Sequence, residues 1–141
     1  MLRLFLACVF FIRSSIAAVI INEVADKGTA NACPGKQDWV ELHNTGSSPV
    51  ALAGFKLHDS NGPGDSKAYV FPAKTDLAAG AFLVLCTRVD AKSPQFKIGG
   101  DDKITLRNPA GEIVSTSGTL PNKGEYGITW AYNSKTSTYA L

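Results

Sequence analysis

Lys103-Ile104-Thr105-Leu106-Arg107-Asn108-Pro109-Ala110-Gly111-Glu112-Ile113-Val114-Ser115 carries the reading of the fold. Apolar and polar residues alternate on both sides of Asn108–Gly111, the period of a half-buried strand. Proline at the second turn position and glycine at the last signal a type I turn, so the stretch predicts an antiparallel hairpin. Working outward, the same grammar recurs. Val19-Ile20-Ile21-Asn22-Glu23-Val24 and Asp38-Trp39-Val40-Glu41-Leu42-His43-Asn44 read as strands, the second with Val40 and Leu42 on one face and Trp39, Glu41 and His43 on the other. Val50–Leu57 offers Leu52, Phe55 and Leu57 to a core, with Gly54 as a bend. Ala68–Phe71, the strongly apolar Ala81–Thr87 and Tyr126–Tyr132 complete the series, and Ser115–Thr119 reads as a brief low-complexity run. Between them lie clusters of Gly, Pro, Asn and Asp, and no segment after Ala18 shows a capped helical stripe. The expectation is an all-β chain of seven to eight short strands in a two-sheet antiparallel sandwich.

The N-terminus follows different rules. Arg3 precedes an unbroken apolar run, Leu4–Ile12, and Ser15-Ile16-Ala17 places small residues at the two positions that signal peptidase reads, with Ala18 as a one-residue alternative. Residues 1–18 are therefore expected to be a secretory signal peptide, and residues 19–141 the domain. As a helix the run would rise only ~14 Å, short of the ~30 Å hydrocarbon core, so no stable membrane span is expected. The whole chain has 14 Lys+Arg and 12 Asp+Glu; losing Arg3 and Arg13 leaves twelve of each sign. A neutral domain has no field with which to gather phosphates, which argues against nucleic acid as a partner. Export also decides the cysteines. Cys8 would leave with the leader, and Cys33 and Cys86, an even pair in an oxidising compartment, read as a disulfide closing 54 residues. A zinc site of Cys33, Cys86, His43 and His58 is the alternative, and it lacks close-paired ligand spacing.

The ordered motifs also carry a resemblance. Ile20-Ile21-Asn22-Glu23-Val24, Asp38-Trp39-Val40-Glu41-Leu42-His43-Asn44 and Leu52-Ala53-Gly54-Phe55-Lys56-Leu57 resemble the opening of a lamin tail domain, and Phe71-Pro72, Leu77–Leu85 and Gly99–Leu106 match its later segments. The likeness runs from about Val19 to Tyr132, and the expected leader places the chain with the kind found in secreted microbial proteins. It implies an immunoglobulin-like β-sandwich in which Asn22, Glu23, Asp38, Trp39, Glu41, Asn44 and Gly54 are structural. Secreted members commonly end on a T-P-G-x-x-N-like strand, whereas this chain ends at Tyr139-Ala140-Leu141, so the sequence reads as truncated or as missing its final strand.

Few residues suggest chemistry. Glu41 and His43 share a strand face and so resemble a base with its orienter, although any two residues so spaced point the same way. Neither G-x-S-x-G nor H-E-x-x-H occurs, and no catalytic residue is assigned. Asp59, Asn61 and Asp65 in one loop and Asp101 and Asp102 in another are candidate Ca²⁺ ligands, provided the loops converge; the competing reading is that Asp and Asn bond their own backbone to make turns. Tyr126, Ile128, Trp130 and Tyr132 share a face and either stack on a sugar or fill a core. The sequence thus suggests a secreted, non-catalytic module for binding, adhesion or structural use, with an extracellular protein or glycan as partner. The alternatives are a calcium-dependent binder and the accessory domain of a larger secreted hydrolase.

Overall fold

The computed structural model describes residues 19–26, 32–121 and 129–141. The expected leader, residues 1–18, lies outside them, as do Tyr126 and Ile128. Eleven strands are seen among the described residues: β1 (Val19–Ala25), β2 (Trp39–Asn44), β3 (Val50–Ala51), β4 (Lys56–His58), β5 (Tyr69–Val70), β6 (Asp76–Leu77), β7 (Phe82–Cys86), β8 (Lys103–Arg107), β9 (Ile113–Thr119), β10 (Trp130–Asn133) and β11 (Thr138–Ala140). They form a five-stranded sheet in the order β11-β10-β1-β2-β7, a four-stranded sheet β5-β4-β8-β9 and a small β3-β6 ribbon, all antiparallel. The all-β sandwich is as expected.

The core lies between the two larger sheets. Ile21, Val24, Val40 and Leu42 face it from one side, and Leu57, Ile104 and Leu106 from the other. Leu52 and Leu77 add to it from in and beside the ribbon, and Phe71, Phe96, Ile98 and Leu120 from the connections. Each such side chain contributes about 1.5–3 kcal/mol by leaving water. The hairpin anticipated at Asn108–Gly111 forms: the Gly111 N–H donates to the Asn108 carbonyl (2.9 Å), and Gly111 takes a left-handed φ of +86° beside a register shift in the β8–β9 ladder. It is tied back to β4. The Arg107 Nε–H donates to His58 Nε2 (3.2 Å) while Arg107 Nη1 donates to the Gly111 carbonyl (2.7 Å). Since an arginine only donates and a carbonyl only accepts, His58 carries its proton on Nδ1 and gives it to the Asp59 carbonyl (2.7 Å).

Three details differ from the sequence expectation. Val50–Leu57 is not one strand: the chain turns at Gly54 (φ +77°), closed by the Phe55 N–H donating to the Leu52 carbonyl (2.9 Å), so β3 joins the ribbon and β4 the four-stranded sheet. Ser115–Thr119 is the last five of the seven residues of β9. There the Ser115 hydroxyl accepts the Ile21 N–H (2.9 Å), joining the two sheets, and the Ser117 hydroxyl accepts the Ile104 N–H (3.0 Å). A strand that the sequence does not announce, Thr138–Ala140, pairs with β10 as β11. A strand of three residues has too few alternations to announce itself.

Candidate functional site

Four of the motif residues, Asn22, Glu23, Trp39 and Glu41, lie on the outer face of the five-stranded sheet. The origin is a bulge in β1: Ile21 pairs with Leu42 and Glu23 with Glu41, which leaves Asn22 as the extra residue. Its effect is a change of phase. Val19 and Ile21 face the core before the bulge and Val24 after it, so Glu23 and Ala25 turn outward beside Glu41 and Trp39. The bulge brings two carboxylates, Glu23 and Glu41, directly opposite one another, an arrangement that is unfavourable unless each has its own donor. Each does. The Asn22 Nδ2 donates to Glu41 Oε1 (2.7 Å), and the Thr129 hydroxyl donates to Glu23 Oε1.

Farther along the same face, Cys33 and Cys86 are joined as a disulfide with their Cα atoms 5.7 Å apart. This bond lies outside the main core. With Ala25 and Trp39 it makes a second buried cluster, so the outward-pointing Trp39 is covered by the cross-link. The Trp39 Nε1–H and the buried Thr87 hydroxyl have no hydrogen-bond partner among the described residues. The paired thiols take no part in a zinc site, and His58 spends both ring nitrogens elsewhere.

Glu41 and His43 do not assemble as carboxylate and base. The His43 ring stacks on Phe82 with centroids 4.0 Å apart and planes 10° from parallel, while Glu41 is held by Asn22. Residues two apart on a strand lie ~6.6 Å from one another, beyond hydrogen-bond reach without a bend.

Asp38 and Asn44, at the two ends of β2, serve as anchors. The Asn44 Nδ2 lies within hydrogen-bond reach of the carbonyls of Ser48 (2.9 Å), Leu77 (3.0 Å) and Ala78 (3.0 Å), and Oδ1 accepts the Gly46 N–H (3.0 Å). A single buried side chain thereby holds the turn after β2 to the segment entering β7. Asp38 Oδ2 accepts the Ile98 N–H (3.0 Å). Burial raises its pKa above the ordinary aspartate value; the Ile98 N–H, Arg88 and Lys97 oppose the rise and Asp26 adds to it. Asp26 and Asp38 line a cleft of about 360 Å³ with Lys36, Lys97, Ile98, Gly99 and Gly100.

The acidic loops come close without pooling their carboxylates. The Lys103 N–H donates to the Ser60 hydroxyl (2.9 Å), which brings the Asp59 loop to the start of β8. There Asp59 accepts from Asn61 through both oxygens (N 2.9 Å, Nδ2 3.0 Å), Asp65 accepts the Lys67 N–H (2.7 Å), and Asp102 accepts the Gly99 N–H (2.6 Å). These are turn-making bonds. Asp101 is exposed, and among the described residues no three His, Cys, Asp or Glu side chains are grouped to hold a metal ion.

Trp130 belongs to the core side. Its Nε1–H donates to the Ser117 carbonyl (2.8 Å), and its ring lies near-parallel to that of Tyr139 at 6.2 Å. Tyr139, which the sequence reading had not singled out, meets Tyr132 edge-on at 5.2 Å and donates its hydroxyl to the Ile21 carbonyl (2.6 Å). Burial raises the pKa of that phenol. Phe82 and Val84 were also missed as surface residues: their strand reads as the most apolar in the chain, yet both side chains are exposed.

Comparison with known families gives one finding. The model of the Lamin Tail Domain family matches residues 13–120. Comparison with curated proteins gives no match.

Proposed function

The chain belongs to the lamin tail domain family, and from that premise we propose that it serves as a secreted, non-catalytic β-sandwich module that binds an extracellular protein or glycan, or stiffens a structure built from such modules. The observation that carries this reading is how the reactive-looking side chains are employed. Glu41 accepts from Asn22, His43 stacks on Phe82, His58 bridges Asp59 and Arg107, and Asp38 holds the Ile98 N–H. Each makes a framework contact, and among the described residues neither histidine is hydrogen-bonded to an orienting carboxylate, as the base of a hydrolytic triad would be. The Cys33–Cys86 cross-link supports use in an oxidising compartment.

The test is turnover. The oxidised domain, incubated with chromogenic esters, phosphate esters and glycosides, is expected to show no rate above buffer. A rate that disappears on His43→Ala or Glu41→Gln, with the fold intact, overturns the proposal.

A further inference from the structure

Strand β7, Phe82-Leu83-Val84-Leu85-Cys86, is the last in its sheet among the described residues, where it has one neighbour, β2. Free sheet edges are ordinarily guarded by a charged residue, a proline or a bulge, and β7 has none of these. The bonding parity can be read directly. The Thr87 N–H donates to the Asp38 carbonyl (2.8 Å) and the Asn44 N–H to the Ala81 carbonyl (3.0 Å), so the odd-numbered residues turn their backbone groups toward β2. Phe82, Val84 and Cys86 therefore aim theirs away from the sheet, and those groups make no hydrogen bond among the described residues. The side chains of Phe82 and Val84 stand on the outer face, 55% and 40% exposed, with the His43 ring flat against Phe82.

We propose that β7 is a self-association edge, at which two copies of the chain pair antiparallel about a two-fold axis through Val84. Such pairing sets Val84 opposite Val84 and Phe82 opposite Cys86. Every outward N–H then faces an outward carbonyl of the other copy, and Leu83 meets Leu85 on the core side. The strand is self-complementary for two reasons. Its outward groups are spaced symmetrically about Val84, and it carries no charge with which to select an oppositely charged partner. Beyond it, Arg88 falls opposite Gly80, so no like charges meet. The two Glu41 carboxylates stay three strand spacings apart, ~14 Å, beyond the ~8 Å screening length at physiological salt. A five-residue edge with two exposed side chains falls short of the ~800 Å² per partner that stable complexes bury, so the dimer is weak, with a dissociation constant of about 0.1–1 mM. The inference concerns the folded domain and stands whether or not the functional reading above does.

Sedimentation equilibrium of the oxidised chain, from about 10 μM to 1 mM, reads it directly. The expected result is reversible dimerisation that weakens at least tenfold in Val84→Lys, which sets two ammonium groups face to face on the axis. Val84→Pro, which deletes an outward N–H and spares the β2 ladder, is expected to do the same. Ile113→Lys is the control: that side chain is 58% exposed on β9, at the edge of the other sheet, and its loss leaves dimerisation unchanged. Thermal melts confirm that each variant is folded. In the wild-type chain the Phe82 and Val84 amide resonances are expected to shift with concentration, a readout that needs no variant. A chain monomeric at every concentration overturns the inference, including the case where the edge serves a strand of some other protein. So does a dimer that survives both Val84 substitutions or is lost in Ile113→Lys.

Discussion

Replacing the Cys33–Cys86 cross-link perturbs one feature whose size follows from the chain itself. The two cysteines are 53 residues apart in sequence. Opening a loop of that length restores conformational freedom to the unfolded chain worth about 4 kcal/mol in the chain-entropy picture. A second effect adds in the folded state, where the disulfide covers Trp39 and Ala25 and its removal exposes part of that cluster. For Cys33→Ala/Cys86→Ala against the oxidised parent, with a urea m-value of about 2 kcal/mol/M, the unfolding midpoint is expected to fall by about 2 M. The m-value itself should rise, because an uncross-linked chain exposes more surface when it unfolds. Trp39 supplies an independent signal: a disulfide in contact with an indole quenches its emission, so reduction should brighten the folded protein, and Trp39→Phe, which leaves only Trp130, should abolish that change. A loss of stability under about 1 kcal/mol, with m unchanged, refutes the reasoning, because the cross-link would then not be constraining the unfolded state.

Asn44→Ala, which removes a buried donor from reach of three carbonyls, should destabilise by about 3 kcal/mol in urea titration, whereas a surface substitution such as Thr136→Ala should change little. At Asp38 the sign follows from the raised pKa. The folded state holds its proton more tightly than the unfolded chain, so this group's contribution to stability falls as pH rises from the unfolded value through the folded one. Asp38→Asn, whose amide oxygen still accepts the Ile98 N–H, should therefore gain stability relative to the parent across that acidic window, as urea titrations between about pH 3 and 6 will show. Asp38→Ala should cost about 1–3 kcal/mol by orphaning the same N–H. Millimolar Ca²⁺ or EDTA should move the melting temperature by less than about 2 °C, because Asp59, Asp65 and Asp102 already serve backbone donors; a saturable rise with Ca²⁺ would show that the loops hold the ion.

Legibility in the sequence followed the range of the interactions. The β8–β9 hairpin was legible because its turn residues and alternation are local, and so was β2, whose Val40 and Leu42 face the core as their spacing requires. The disulfide was legible because, with Cys8 expected to leave in a leader, Cys33 and Cys86 leave one pairing. Burial of Trp39 on the outward face was not, since Cys33, in the connection before β2, is set over it through its bond to Cys86 in β7. The ribbon strands and β11 were too short for periodicity, and Asn44 looked like an ordinary turn residue because its partners at Leu77 and Ala78 lie more than thirty residues away. Ala81–Thr87 misled in a different way. A continuous apolar run suggests burial on both faces, yet only the alternate residues Ala81, Leu83 and Leu85 pack against the core, and the edge position of β7 is a property of topology.

The central claim is that this chain is an exported sandwich with its one long-range cross-link closed. Intact-mass measurement of the protein recovered from the medium of its native source, with and without reductant and an alkylating reagent, tests it most directly. The account expects a chain that begins at Ala18 or Val19, takes up no alkylating group until reduced, and before reduction is lighter by two hydrogens than its reduced form. A chain that retains residues 1–18, or whose Cys33 and Cys86 thiols are alkylated without reduction, contradicts it.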